Sequence, residues 1–293
     1  MTSQSESFQR LLNVGCGRCY HQDWTNIDLV AHGPGVRQYD LRRGLPYEHG
    51  SFDAVYHSHV LEHLTPDDAR TMLSECRRVI RPGGVIRLAV PDLEGIARGY
   101  LESLDAAESG RALAVANHRW MTLELIDQLV RQRGGGQMGQ AMWNSDLVNL
   151  EFVRSRIGGE MGEHKNGKTK KTVGQRLSKV FAGVRKQLAL AAVTIIDGST
   201  GRAAYREGRF RQSGEIHRWM YDHVSLADLL HEVGFKRAAV QSAESSRITD
   251  FDSYQLDRDD VGQVRKPDSL FMEAVNPLTI AQAASLEASK RVA

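Results

Sequence analysis

The feature that most constrains this chain is a short apolar strand that breaks at two glycines, Leu11-Leu-Asn-Val-Gly-Cys-Gly17, followed by a carboxylate at Asp28. Asp28 closes a second short run, Trp24-Thr-Asn-Ile-Asp28. Glycine has no Cβ, so Gly15 and Gly17 permit a tight turn and let a ligand approach the backbone closely. A carboxylate at the tip of the next strand suits a ribose diol, whose two hydroxyls both donate. A dinucleotide loop of the form Gly-x-Gly-x-x-Gly would need a third glycine where Tyr20 stands. A nicotinamide-dependent oxidoreductase is therefore the weaker enzyme reading.

The chain beyond the glycine loop keeps the same rhythm. Residues 11–14, 24–28, 36–40, 52–57 and 85–90 read as strands, and 235–240 and 269–275 as late ones. Thr65-Pro66-Asp67-Asp68 is a helix start, with a capping hydroxyl, proline in the first turn and acids facing the dipole. Ala69, Met72, Leu73, Cys76, Val79 and Ile80 then form one apolar face, which Arg81-Pro-Gly-Gly84 stops. Ser225 with Asp228 opens a late helix carrying Leu226, Leu229, Leu230 and Val233, which ends at Gly234. Strands alternating with crossovers predict an α/β fold: a doubly wound, mainly parallel Rossmann-like sheet with helices on both faces and a long helical insertion. In such sheets ligands lie beyond the carboxyl ends of the strands, where Gly15, Asp28, Asp40, Ser58 and Asp92 all fall.

The middle of the chain is different. Residues 93–133 are mainly helical in pattern and end at Gly134-Gly-Gly136; residues 158–174, rich in Gly and Lys, read as a flexible link. Residues 173–196 are amphipathic, with Leu177, Val180, Phe181, Val184 and Leu188 on one side and Arg176, Lys179, Arg185 and Lys186 elsewhere. The expected organisation is a core from 1–108 and 213–277, a helical, basic insertion at 109–212 as lid or substrate lobe, and a tail at 278–293. From Lys165 to Arg211 twelve Lys or Arg face only Asp197 and Glu207, a net +10 in a chain of net +2, so the remainder carries −8. Basic faces attract anionic membranes or phosphorylated glycans. Nucleic acid is disfavoured, since no aromatic stacking platform is interleaved with the charge.

No run approaches the ~18 apolar residues of a membrane span, and residues 2–10 lack the apolar core of a secretion signal. Cys16, Cys19 and Cys76 make a poor disulfide framework, so a reducing cytoplasm is the expected setting, with peripheral contact to the inner membrane face left open. Cys16-Gly-Arg-Cys19 has metal-ligand spacing, yet no second Cys pair completes a site, and no metal is expected.

The run from Leu41 to Asp92, with Leu61-Glu62-His63-Leu64 and Val79-Ile-Arg-Pro-Gly-Gly, resembles the class I S-adenosylmethionine-dependent methyltransferases. It is closest to a bacterial branch with a late His217-Arg-Trp-Met-Tyr-Asp222 element. The resemblance covers roughly residues 9–100 and 215–276. It implies S-adenosyl-L-methionine as cofactor, with Gly15, Cys16 and Gly17 passing the methionine portion and Asp28 on the ribose. It likewise implies Asp40 and Leu41 beside the adenine and Ser58 facing the methionine amino group. One departure is the crossover between Gly17 and Asp28, whose ten residues are too few for the helix that usually packs there.

Methyl transfer needs donor and acceptor held in line, and a base where the acceptor must lose a proton. His59 is the first candidate base, followed by His63 and His217; an imidazole with its ordinary pKa near ~6.5 suits that work. His57, alternating with Tyr56, also reads as a core histidine, and turn or cap carboxylates are the lesser reading of Asp28 and Asp40. Trp219, Met220 and Tyr221 read equally as a hydrophobic plug and as substrate-facing groups, and Asp222 as a helix cap or a substrate contact. The implied reaction is methyl transfer to oxygen or nitrogen of a small-molecule, saccharide or glycan-lipid acceptor. The rival from another class is a catalytically inactive S-adenosylmethionine-binding protein that docks to a membrane or partner through its basic lobe.

Overall fold

The computed structural model of the chain describes residues 9–143, 147–158, 173–279 and 282, with the backbone alone for 173–182. Most of the link read as flexible, from 159 to 172, and nearly all of the tail beyond 279 lie outside the described residues. The strands are β1 (Leu11–Val14), β2 (Thr25–Asp28), β3 (Val36–Gln38), β4 (Phe52–Ser58), β5 (Ile80–Pro91), β6 (Lys236–Gln241) and β7 (Ser269–Val275). The helices are α1 (Pro66–Val79), α2 (Leu93–Ala107), α3 (Ala112–Val130), α4 (Gly136–Trp143), α5 (Leu150–Ile157), α6 (Val173–Arg211) and α7 (His223–Glu232). The chain divides into two compact units: Met1–Glu102 with Ser155–Gly158 and Arg218–Ala293, and Ser103–Arg154 with Gly159–His217.

The first unit is built on one seven-stranded sheet in the order β3-β2-β1-β4-β5-β7-β6. The first five strands run parallel, and β7 is antiparallel to both of its neighbours. The carboxyl ends of β1 to β5 therefore share one edge, and the first residue of β7 lies on that edge too, since Ser269 pairs with Pro91.

Alternation along the strands separates two faces. Leu12, Val14, Val55, Ile86 and Leu88 point to a core closed by Met72, Leu73, Cys76 and Val79 of α1 and by Leu226, Leu229 and Leu230 of α7. Each fully buried aliphatic side chain there contributes about 1.5–3 kcal/mol. Thr65 caps α1 as its sequence predicts, accepting from the Asp68 N–H at 3.2 Å. The late helix starts three residues before the expected Ser225: Asp222 is the cap, and Ser225 returns a bond from the third position. On the opposite face Leu11, Ala54 and Tyr56 meet Trp24, Ile248, Phe251 and Leu256. Most of that cover comes from the connection between β6 and β7, with a 3-10 turn at Phe251–Tyr254.

That connection is fastened by a buried arginine. Arg87, fully enclosed on β5, pairs with Asp257 at 2.7 Å and Glu273 at 3.0 Å, and donates to the Ser242 and Ser245 carbonyls. Its guanidinium also lies 4.5 Å from the Phe251 ring centroid, and Tyr56 donates to the second Asp257 oxygen at 2.5 Å. Four of the fork's five donors make hydrogen bonds, and the Nη2 side adds the ion pair with Asp257.

β3 and β5 also differ from their expected bounds. β3 ends at Gln38 because Asp40 turns to cap a 3-10 turn at Leu41–Arg43. β5 begins at Ile80, so Arg81-Pro-Gly-Gly84 belongs to a strand whose register against β4 shifts between Phe52 and Ala54. Gly84 permits the shift, since a Cβ there would lie 2.5 Å from the Asp53 carbonyl oxygen.

In the second unit Asp127 of α3 accepts from the Gln137 and Met138 N–H groups at the start of α4. The long α6 breaks at Gly198, which sits at φ 64. The apolar side expected along 173–196 departs from an ordinary buried stripe: Val184, Leu188, Ile195 and Ile196 are all exposed, and Leu190 is buried instead. The side chains of Leu177, Val180 and Phe181 lie outside the described residues.

Candidate active site

The glycine loop turns where L side chains rarely go: Gly15 has φ 68 and Gly17 φ 55. A Cβ at Gly15 would stand 2.5 Å from Val60 Cγ2, so the β1 loop and the segment just past β4 touch through the missing side chain. At Gly17 a Cβ would meet nothing within 4 Å, leaving the backbone open on that side. The loop is tied to β2: Gly15 N–H donates to the Ile27 carbonyl at 2.8 Å and Gly17 N–H to Asp28 Oδ2 at 2.9 Å. Asp28 Oδ1 accepts from Val30 N–H at 2.8 Å. Each oxygen retains further acceptor capacity, as a ribose diol requires.

The short crossover holds without a helix because two buried amides replace its hydrogen bonds. Asn13 donates to the Cys19 carbonyl, and Asn26 to the His21 and Trp24 carbonyls. Burial, reinforced by the Asp28 charge, pushes the Cys16 thiol up to about 12, so it is a neutral group. The Cys19 thiol points to the Leu256 carbonyl, 3.4 Å away.

Tyr39 N–H donates to the Asp28 carbonyl at 2.7 Å, which brings Asp40 to the edge beside Asp28. The Asp40 carboxylate takes the Arg42 guanidinium as a fork at 2.7 and 2.8 Å, and this pair holds its pKa down at about 2. Leu41 packs against the helix-covered core. Ser58 ends β4 opposite Ala89.

The histidines separate by role. His57 is fully buried, and burial lowers its pKa to about 4, so it is a neutral core residue. His59 stands at the edge with φ 53, a conformation that costs a non-glycine residue about 1–3 kcal/mol. Its ring is held on both sides, with Nδ1 3.2 Å from Glu62 Oε1 and Nε2 2.8 Å from Ser269 Oγ. His63 Nε2 lies 4.0 Å from the same Glu62 oxygen, and the Glu62 side chain is fully enclosed. His217 belongs to the second unit, where its N–H donates to the Gln128 carbonyl.

The late element docks onto this corner through its backbone. Arg218 and Trp219 N–H groups donate to the Glu62 carbonyl at 2.7 and 3.2 Å, and Leu93 N–H to the Tyr221 carbonyl at 3.0 Å. Tyr221 is buried and plugs the core, whereas Trp219 is 48% exposed. Burial first, then the Glu62 charge, raises the Tyr221 phenol to about 12.

A parallel sheet in this order with one antiparallel strand, carrying a glycine loop and an acid at adjacent tips, is a nucleotide-binding edge. Residues 20–88 match the family model of a methyltransferase domain. This segment is matched as a methyltransferase domain. S-adenosylmethionine is the methyl donor of class I methyltransferases, and the open Gly17 backbone and the Asp28 tip fit it. No curated protein matches the chain.

Among solved structures, the chain is similar to the [4+2]-cyclase SpnF (21% identity, 28% of this chain and 38% of that one, TM-score 0.23). It also resembles the Burkholderia thailandensis 1,6-didemethyltoxoflavin-N1-methyltransferase, solved with S-adenosylhomocysteine (20%, 29% and 45%, TM-score 0.25). A third is the Haloferax volcanii complex of the Trm112 methyltransferase activator (11%, 92% and 83%, TM-score 0.37). The chain thus spans less than half of the first two. With TM-scores this low the assignment rests on strand order and the domain match instead.

Sequence reasoning passed over Glu62 as a catalytic partner and Ser269 altogether. Glu62 had a signal, a carboxylate inside the apolar run Val60-Leu-Glu; Ser269 read only as the start of a strand.

Proposed function

We propose that the chain is an S-adenosylmethionine-dependent methyltransferase acting on an oxygen or nitrogen of a small-molecule, saccharide or glycan-lipid acceptor. The observation that carries this is the lock between Gly17 and Asp28 at the tips of β1 and β2, beside Val60 past β4. Gly15, Cys16 and Gly17 would pass the methionine portion, Asp28 would hold the ribose, Asp40 and Leu41 would flank the adenine, and Ser58 would face the amino group. The donor supplies an already activated methyl group on a sulfonium. The protein itself must hold the acceptor in line and take its proton. His59 is the candidate base best placed for this, with His63 and His217 behind it. The test is thermal shift and turnover: S-adenosylmethionine stabilises the protein, nicotinamide cofactors do not, and S-adenosylhomocysteine accumulates when acceptor is present. Stabilisation by nicotinamide cofactors alone would favour the oxidoreductase reading.

The exposed Val184, Leu188 and Ile195, on one face of α6 next to Arg185 and Lys186, support peripheral contact with an anionic membrane or glycan. Among the described residues no helix is long and apolar enough to cross a membrane. Sedimentation with anionic vesicles, lost in Arg185→Gln/Lys186→Gln, tests the contact; binding unchanged in that variant would refute it.

A further inference from the structure

We propose that Ser269, His59 and Glu62 form a proton relay at the methyl-transfer edge, with Ser269 as the group that touches a hydroxyl acceptor. This rests on the methyltransferase reading and narrows its acceptor to a hydroxyl. Ser269 is the first residue of β7, opposite Pro91, so it sits on the edge that carries the glycine loop and Asp28. His59 lies on the same edge, fixed by its N–H to the Ala89 carbonyl at 2.9 Å. Its ring has no nitrogen left for an acceptor: Nδ1 faces Glu62 at 3.2 Å and Nε2 faces Ser269 Oγ at 2.8 Å. A proton from an acceptor can reach the imidazole only through the serine.

The order of groups sets the direction of transfer. In the proposed relay Glu62, whose Oε1 lies 3.2 Å from Nδ1, takes the Nδ1 side of the ring, and the Nε2 lone pair is turned to the Ser269 hydroxyl. A hydroxyl backed by imidazole and then by a buried carboxylate is the arrangement that strips a proton from an alcohol. In the step proposed, the acceptor oxygen bonds the methyl carbon while the carbon–sulfur pair leaves with sulfur. The acceptor proton passes to Ser269 Oγ as the proton of Ser269 passes to His59 Nε2, and Glu62 stabilises the imidazolium. An amine acceptor attacks through its own lone pair and has little use for such a relay. Besides Glu62, His59 acts electrostatically on Asp257, and the Glu62 charge is felt by His57 and Tyr221 and lies 4.0 Å from His63 Nε2.

Two measurements on the full chain test the relay. Imidazole 15N NMR with S-adenosylhomocysteine bound is expected to show His59 protonated on Nδ1 and bare on Nε2, with Ser269→Ala shifting Nε2 and Glu62→Gln admitting the other tautomer. A proton on Nε2 in the wild type, or a spectrum unmoved by both variants, overturns the relay. In turnover with model acceptors, Ser269→Ala is expected to slow transfer to phenol by about 100-fold or more. Transfer to 4-nitrophenol, already ionised in mild alkali, should change less than a few-fold, and Ser269→Thr should restore phenol. Equal loss on both phenols overturns the relay, and transfer to aniline but to neither phenol overturns the hydroxyl assignment. Failure to bind S-adenosylmethionine with the His59 tautomer intact would instead refute the methyltransferase reading.

Discussion

The two faces of the central sheet are covered by different physics. On one, α1 and α7 lay aliphatic side chains against Val14, Val55 and Leu88, and the packing is non-directional and spread over many residues. On the other, an irregular connection is held by Arg87, Asp257, Glu273 and Tyr56, a network with no water to fall back on. The first kind of cover degrades gradually as side chains are trimmed. The second fails at a single substitution, because a lone buried charge is worse than none.

The sharpest way to break this contrast is Arg87→Met. Leaving Asp257 and Glu273 buried without their cation should cost about 3–5 kcal/mol in denaturant unfolding, and adding Asp257→Leu and Glu273→Leu should recover a large part of it. On the helical face, Leu73→Ala and Leu229→Ala should each cost about 2–5 kcal/mol with no such recovery when combined. Additive losses on both faces would end the distinction.

On β4, His57 is fully buried and held near 4 by that burial. The unfolded chain takes up this proton from about pH 6.5 downward, so acidification to about pH 4 should cost up to about 3 kcal/mol, with no further loss from this residue below that. His57→Leu should flatten that slope in pH-dependent unfolding, and an unchanged slope would place the acid sensitivity elsewhere.

The strand tips belong to neither face, and substitutions there should touch binding rather than stability. Asp28→Ala should weaken S-adenosylmethionine by about 1.5–3 kcal/mol in calorimetry, the worth of a hydrogen bond to a charged group. The smallest effect is expected at Asp40→Asn. Although Arg42 holds that carboxyl at about 2, the pair is exposed, and unfolding should change by less than about 1 kcal/mol.

The helical face was legible because period-3.6 and period-2 patterns and the Thr65 cap all state themselves locally. So were the glycine loop and Asp28, where turn chemistry leaves few residue choices. The ionic face was not: Arg87 sits in the apolar run Val-Ile-Arg-Leu-Ala-Val, and its partners lie 170 and 186 residues away. Glu62 and Ser269 were hidden for the same reason, since only the fold brings a turn after β4 to the start of β7. The Asp222 cap stood open in the sequence against a substrate contact, because its partner at the third position is a serine rather than a glutamate.

The most direct test of the central claim, that adjoining strand tips grip the methyl donor, is a crystal structure of the full chain with S-adenosylhomocysteine. The ribose hydroxyls should lie on Asp28, with the thioether passing Gly15 to Gly17 toward His59. A nucleoside bound away from β1 and β2, or with Asp28 turned from it, would contradict the account.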